Sequence, residues 1–243
     1  MSEAVLRQPE AGEPVSLTHL PFGLDGGIAH KGRIGLVVLA TDNTIEHEFR
    51  QMLQIDGIAF YESRLPSPID INPASLAEME TEIAAATGLI LPGGDLDVGA
   101  YCCTSGTVVI GEDKVFARIR EARPGVACST PITAAIAGLK ALGAGRIALL
   151  TPYVEDVNQM LRRFIEVRGI EVPVMGSFNH ENDNEVARIA PASIRDAVLK
   201  LGRYPQVDAV FVSCTSLRLA SFVDPLELDL GKPVTSSNQP LAW

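Results

Sequence analysis

The chain has 243 residues, 47% of them apolar, and a formal net charge of −10 at pH 7. That length allows one large domain or two small ones, and the apolar share is ample for a packed core. The acidic balance, with a pI near 4.9, argues against nucleic acid or an anionic membrane as partner, because both need a basic face. No apolar run reaches the roughly 18–20 residues of a membrane span.

Residues 1–30 carry Pro9, Pro14, Pro21, Gly23, Gly26 and Gly27 with little periodicity. They read as an irregular arm, packed on the body or on a partner chain. They lack the charged-then-apolar pattern of a secretion signal, so the expected location is the cytoplasm.

Residues 33–39 (RIGLVVL) form a β-branched run, the mark of a strand covered on both faces. Residues 44–54 follow with helical spacing, and Asn43 with Glu46 fits the helix start. A strand is predicted over 57–61, a helix over 75–86, a strand over 88–91 and another over 97–102. Helix 112–122 and a short strand at 126–128 follow. Pro131 suits the first position of the next helix, capped by Thr130 or Ser129 and ending near Gly143. A second series then opens. Its strands are predicted at 146–150, 171–174, 208–213 and 233–236, and its helices at 156–167, 182–189 and 192–201.

The two series are alike. RIGLVVLATDNTIEHEFRQMLQIDGI, from Arg33, parallels RIALLTPYVEDVNQMLRRFIEVRGI, from Arg146. Arg33 and Arg146 are 113 apart, Gly57 and Gly169 112, and Cys103 and Cys214 111. This implies two similar Rossmann-like α/β halves with parallel sheets, related by a pseudo-twofold. The expected division is residues 31–134 plus 222–243 for the first half and 135–221 for the second. Ligands in such sheets bind at the carboxyl ends of the strands, so the active site belongs in the cleft between the halves.

Each half ends a key strand in Cys-Thr-Ser, at Cys103-Thr104-Ser105 and Cys214-Thr215-Ser216. A thiol at a strand-to-helix turn lies near backbone amides and the positive end of a helix, which favour thiolate. Two thiols facing one pocket suit nucleophilic addition paired with proton transfer, or a redox disulfide. Four cysteines are too few for a disulfide scaffold. Cys102 alternates against Cys103 and points away from the pocket, and Cys128 reads as core. No CxxC pair or His-rich spacing suggests zinc.

Asn43 and Asn184 sit near predicted helix starts, as cappers or as amide donors to a substrate carboxylate. Tyr153 lies at the end of strand 146–150, either buried or donating to substrate. Thr104, Ser105, Thr215 and Ser216 are helix caps or anion ligands.

Together with TDNTIE (41–46), Thr151-Pro152-Tyr153 and Ser236-Ser237-Asn238-Gln239, these tripeptides resemble the aspartate/glutamate racemase superfamily, in its maleate cis–trans isomerase and arylmalonate decarboxylase branch. RIGLVVLATDNTIEHEF, CTSGTVVIGED and SSNQPLAW are similar to isomerase-like ectoine-utilisation proteins. The resemblance spans residues 33–243. It implies an isomerase needing no metal or organic cofactor, with Cys103 as nucleophile and Cys214 as proton donor and acceptor. It further implies that Asn43, Tyr153 and Asn184 hold the carboxylates of a small dicarboxylate. The decarboxylases of that branch carry glycine in place of the first cysteine, so the thiol at Cys103 speaks against decarboxylation. The same two thiols permit a racemase or epimerase of an amino-acid or ectoine-related substrate, and a non-catalytic carboxylate binder is the remaining alternative. Such folds are commonly homo-oligomers, so a dimer or tetramer is expected.

Overall fold

A computed structural model describes residues 15–243. Residues 1–14 of the predicted arm lie outside the described residues. Residues 15–28 form neither helix nor strand and expose Leu20, Phe22 and Leu24.

The first half contains β1 (Gly32–Leu39), α1 (Ile45–Met52), β2 (Ile58–Leu65), α2 (Pro73–Glu78), α3 (Ile83–Gly88), β3 (Val98–Cys102), α4 (Thr104–Ile110), α5 (Glu112–Ala122), β4 (Ala127–Ser129) and α6 (Pro131–Ala141). The second contains β5 (Arg146–Thr151), α7 (Glu155–Glu166), β6 (Glu171–Ser177), α8 (Asp183–Val186), α9 (Pro191–Gly202), β7 (Ala209–Val212), α10 (Val223–Leu230), β8 (Val234–Ser236) and α11 (Asn238–Ala242). The strand orders are β2-β1-β3-β4 and β6-β5-β7-β8, all parallel. The two sheets thus have the same topology.

A small device recurs in both. The Arg33 amide donates to the Asp97 carboxylate at 2.7 Å, and the Arg146 amide donates to Asp208 at 2.9 Å. Each aspartate precedes its half's third strand and fastens the start of the first strand to it. Leu36–Leu39 are buried, as are Ala209–Val212, because helices cover both faces. One apolar cluster runs through both halves, from Val37 and Tyr101 to Leu149 and Phe211.

Local chemistry accounts for the helix starts. Thr130 accepts from the Thr133 amide at 3.3 Å and Pro131 follows at the first helical position, as expected. Asn182 caps α8 through the Glu185 amide at 3.2 Å. At α1 the side-chain oxygen comes from Asp42 and not Asn43: Asp42 Oδ1 accepts from the Thr44 and Ile45 amides at 2.7 and 2.9 Å.

Other expectations are corrected. The predicted helix 75–86 is broken by a 3₁₀ turn, Met79–Glu82, between α2 and α3. Residues 88–91 are not a strand: the amides of Leu89 and Ile90 bond back to Ala86 and Thr87 at the end of α3. Short apolar runs do not distinguish strand from buried helix end, and β3 takes the place beside β1. Residues 234–236, assigned from sequence to the first half, form β8 and extend the second sheet beside β7. Helix α10 packs on α9 in the same half, and α11 returns to α1 and α6. The boundary expected at 134/135 falls inside α6.

Candidate active site

Both Cys-Thr-Ser loops leave the carboxyl ends of equivalent strands, β3 and β7, but their backbones differ. Cys103 is extended and caps α4, and its Sγ accepts from the Gly106 amide at 3.2 Å. Ser105 Oγ lies 3.7 Å from the same sulfur. Cys214 has φ 133, a conformation that L-residues rarely adopt. No helix follows it directly; turns lead to a 3₁₀ segment at Ala220–Phe222. The helix expected after Cys214 is therefore absent, and only Cys103 stands at a helix start.

One hydroxyl ties the loops together. Ser237 Oγ sits 2.8 Å from Thr104 Oγ1 and accepts from the Cys214 amide at 3.0 Å. The Tyr153 phenol faces Cys214 and Ser213, and Cys103 lies close enough to act on it electrostatically. Sulfurs 111 residues apart therefore both lie within electrostatic reach of one buried phenol. Tyr101 also lies beside Cys103, with Oη donating to Met79 Sδ at 3.8 Å. All of these side chains are buried, Cys103 being 4% and Cys214 6% exposed.

Burial decides the protonation. The Gly106 amide and Ser105 hydroxyl pull the Cys103 thiol down, but desolvation outweighs them and pushes it up from 9.0 to about 11. Cys214 is pushed higher still, by burial first and then by the nearby Asp183 and Asp42 carboxyls, against the Ser216 amide. Burial and the two thiols likewise raise Tyr153. The thiolate expected from helix-start position alone is thus not the resting form: both thiols hold their protons at neutral pH.

This has a consequence for stability. An acid raised on folding stabilises the fold while protonated, fully so below its unfolded value near 9 and decreasingly as pH climbs to about 11. Cys103 alone corresponds to a loss of roughly 3 kcal/mol across that window, at about 1.4 kcal/mol per pH unit, and Cys214 adds in the same direction. Urea unfolding at both ends of the window should show this loss in the wild type and a smaller one in the Cys103→Ser/Cys214→Ser double variant, where Cys102, Tyr101 and Tyr153 remain. Equal losses in the two would refute it.

The acids and amides flanking the thiols are arranged differently from expectation. Asn43 is exposed, with Nδ2 donating to Thr41 O at 2.8 Å, and Asn184 is exposed in the first turn of α8. Their preceding residues face inward instead. Asp183 accepts from Thr41 Oγ1 at 2.5 Å and from Ser216 Oγ at 3.2 Å, joining the halves. The Asp42 carboxyl faces the Thr215 hydroxyl. A short bridge between Asp70 and Asn182 fastens the segment after β2 to the start of α8, which carries Asp183. Asn238 donates to Thr215 O at 2.9 Å and to the buried Glu48 at 2.7 Å, holding the second Cys-Thr-Ser loop from below.

Cys102 points into the separate cluster of Leu36, Val38, Ile45 and Phe49, away from Cys103. Cys128 is half-buried, with Sγ 3.5 Å from Val126 O. Sequence reasoning missed Ser237, Asp42, Asp183 and Gly106. One signal was available: the dipeptide Asp-Asn occurs at 42–43 and again at 183–184, once per half. Among the described residues, no group of three His, Cys, Asp or Glu side chains could hold a metal ion, and no helix is long and apolar enough to cross a membrane.

Two topologically matched parallel sheets, each sending a cysteine loop to a shared buried centre, define a two-thiol α/β protein of the aspartate/glutamate racemase superfamily. The chain belongs to the arylmalonate decarboxylase family, whose sequence profile matches residues 111–243. It is 32% identical over 126 residues to the arylmalonate decarboxylase of Bordetella bronchiseptica, a match covering 51% of this chain and 52% of that protein. It is 27% identical over 220 residues to the maleate isomerase of Geobacillus stearothermophilus, covering 84% of this chain and 86% of the relative. Its fold superposes, with TM-score 0.76 and 23% identity, on a cysteine-to-serine mutant of the Nocardia farcinica maleate cis–trans isomerase holding a covalently bound succinylcysteine intermediate. That superposition covers 87% of this chain and 89% of the other.

Proposed function

We propose that the chain is a cofactor-independent isomerase that converts a small cis-enedioate of the maleate type to its trans isomer. The observation that carries this reading is that Cys103 and Cys214, leaving equivalent strands of the two halves, are both buried near the Tyr153 phenol. Relatives that retain most of their length in the match are maleate isomerases, and a cysteine adduct of a four-carbon diacid is consistent with a thiol nucleophile.

The resting pair carries two protons. Cys103 first releases its proton to bulk water, giving the active form, and its thiolate adds to one alkene carbon. The Cys214 thiol delivers its proton to the adjacent carbon. The former double bond is now single and rotates. Cys214 thiolate takes a proton back, the C–S bond breaks, and the trans acid leaves with Cys103 again a thiolate. Addition and elimination replace one high barrier by two lower ones. Amides and hydroxyls of Thr104, Ser105, Thr215 and Ser216, with the Tyr153 phenol, supply donors to the substrate carboxylates where no buried cation stands. Asn43 and Asn184 offer side-chain amides from the exposed side.

The finer setting extends the same reading: a cytoplasmic enzyme of ectoine utilisation, acting on a small carboxylate. The exposed apolar side chains of residues 15–28 support a homo-oligomer, a dimer or tetramer.

Incubation with maleate should yield fumarate, and acid quenching during turnover should leave a substrate-mass adduct on the peptide containing Cys103. Absence of both, with α-deuteration of an amino acid in deuterated water, would replace this reading by a racemase.

A further inference from the structure

Asp42 has no role in the chemistry above, yet its carboxyl is 2% exposed and stands at the end of β1 against the second Cys-Thr-Ser loop. Its two oxygens are treated very differently. Oδ1 accepts from two backbone amides, Thr44 at 2.7 Å and Ile45 at 2.9 Å. Oδ2 is fully buried and makes no hydrogen bond, although the Thr215 hydroxyl faces the same carboxyl. A buried carboxylate oxygen without a donor is costly. A buried carboxylic acid OH needs only an acceptor.

Burial favours the acid form. Asp183 on α8 lies within electrostatic reach, so two ionised carboxylates here would repel each other. The nearest cation is Arg64 on β2. Its guanidinium is already held by the Leu39, Ala40 and Asp42 carbonyl oxygens and by the Glu46 carboxylate at 2.7 Å. Desolvation is the largest influence on Asp42 and raises it, against the Thr215 hydroxyl, the two amides and Arg64. A dianionic substrate arriving here would meet two carboxylates if both were ionised. Asp183 already has two hydroxyl donors. Asp42 has an oxygen to spare.

We propose that Asp42 is a substrate-binding residue that works as a neutral carboxylic acid, its Oδ2–H donating a hydrogen bond to one carboxylate of the bound dicarboxylate. The inference rests on the dicarboxylate part of the proposed function. It makes binding proton-linked: each ligand bound above the titration of Asp42 takes up one proton.

Succinate, which has no double bond to react, separates this from turnover. Its binding to the full chain is measured by calorimetry between about pH 5 and 8, in buffers of different ionisation enthalpy. The wild-type Kd is expected to rise about tenfold per pH unit once Asp42 titrates, with uptake of about one proton per ligand. Asp42→Asn keeps an acceptor for the two amides and a donor at the second position. It should bind within about threefold of the wild type at low pH and show no pH slope. Asp42→Ala should bind on the order of 10- to 100-fold more weakly while melting cooperatively. The proposal is overturned if wild-type binding is flat with pH, if Asp42→Ala binds as well as wild type, or if succinate does not bind at all. It is equally overturned if β-alanine binds more tightly than succinate and Asp42→Asn abolishes that preference, since an ionised Asp42 would then be pairing with an ammonium group. A chain that binds succinate with proton uptake but never converts maleate retains this inference and loses the isomerase reading.

Discussion

Cys103→Ser is expected to lower maleate turnover on the order of 10⁴- to 10⁶-fold while leaving the fold intact. The serine hydroxyl can accept from the Gly106 amide as the sulfur does at 3.2 Å, so the start of α4 stays capped. What it cannot do is give up its proton as readily as a thiol and add to an alkene as an anion. Cys214→Ser should behave differently. Its loss removes the proton carrier but not the nucleophile, so turnover should fall on the order of 10²- to 10⁴-fold. The Cys103 adduct should then accumulate, because both the first protonation and the later proton removal pass through residue 214. The two variants are separated by mass spectrometry after mixing with maleate: no adduct for Cys103→Ser, a long-lived one for Cys214→Ser. Turnover by Cys103→Ser at more than about a tenth of the wild-type rate would remove the nucleophile from the scheme, as would an adduct located on Cys214.

Gly106→Ala carries the second large effect, and two physical effects oppose each other there. Gly106 lies in α4, where alanine is preferred over glycine by about 1 kcal/mol in a helix interior. Sterics run the other way. A Cβ at this position would lie 2.5 Å from Tyr101 Oη, 2.9 Å from Cys103 Sγ and 3.3 Å from Cys103 Cβ. Tyr101 is fully buried and cannot swing into solvent. Overpacking of this kind costs about 1–3 kcal/mol, which exceeds the propensity gain. The atom displaced is the attacking sulfur itself, and a misplacement of about 1 Å costs on the order of 100-fold in rate. Gly106→Ala should therefore lower both the urea midpoint and kcat. An enzyme as stable and as fast as wild type would mean that the Tyr101–Cys103–Gly106 contact is looser than the structure shows.

The architecture was legible because its signals are local and repeated. Residues 33–39, with three β-branched side chains, and the apolar run 146–150 both form strands as expected, and α5 occupies the predicted 112–122. The matched offsets then implied two halves, and the sheets carry that symmetry into strand order. The errors fall where local pattern is silent. Residues 88–91 are apolar enough for a strand, but the end of α3 consumes their amides. Residues 234–236 are a strand as expected, yet which sheet they join depends on pairing with β7. The helix expected after Cys214 is missing because the backbone turns at φ 133 and its amide goes to Ser237, 23 residues on.

The sequence by itself determined the two-fold α/β plan and the pair of Cys-Thr-Ser loops, because periodicity and spacing are properties of the chain. Only the tertiary structure decided that Asp42 and Asp183 turn inward while Asn43 and Asn184 turn out, that Ser237 joins the two loops, and that both thiols rest protonated. Those outcomes depend on which groups lose water and which partners meet them from more than 100 residues away, such as Thr41 on Asp183 and Ser237 on Thr104. Desolvation and long-range hydrogen bonding leave no trace in local sequence.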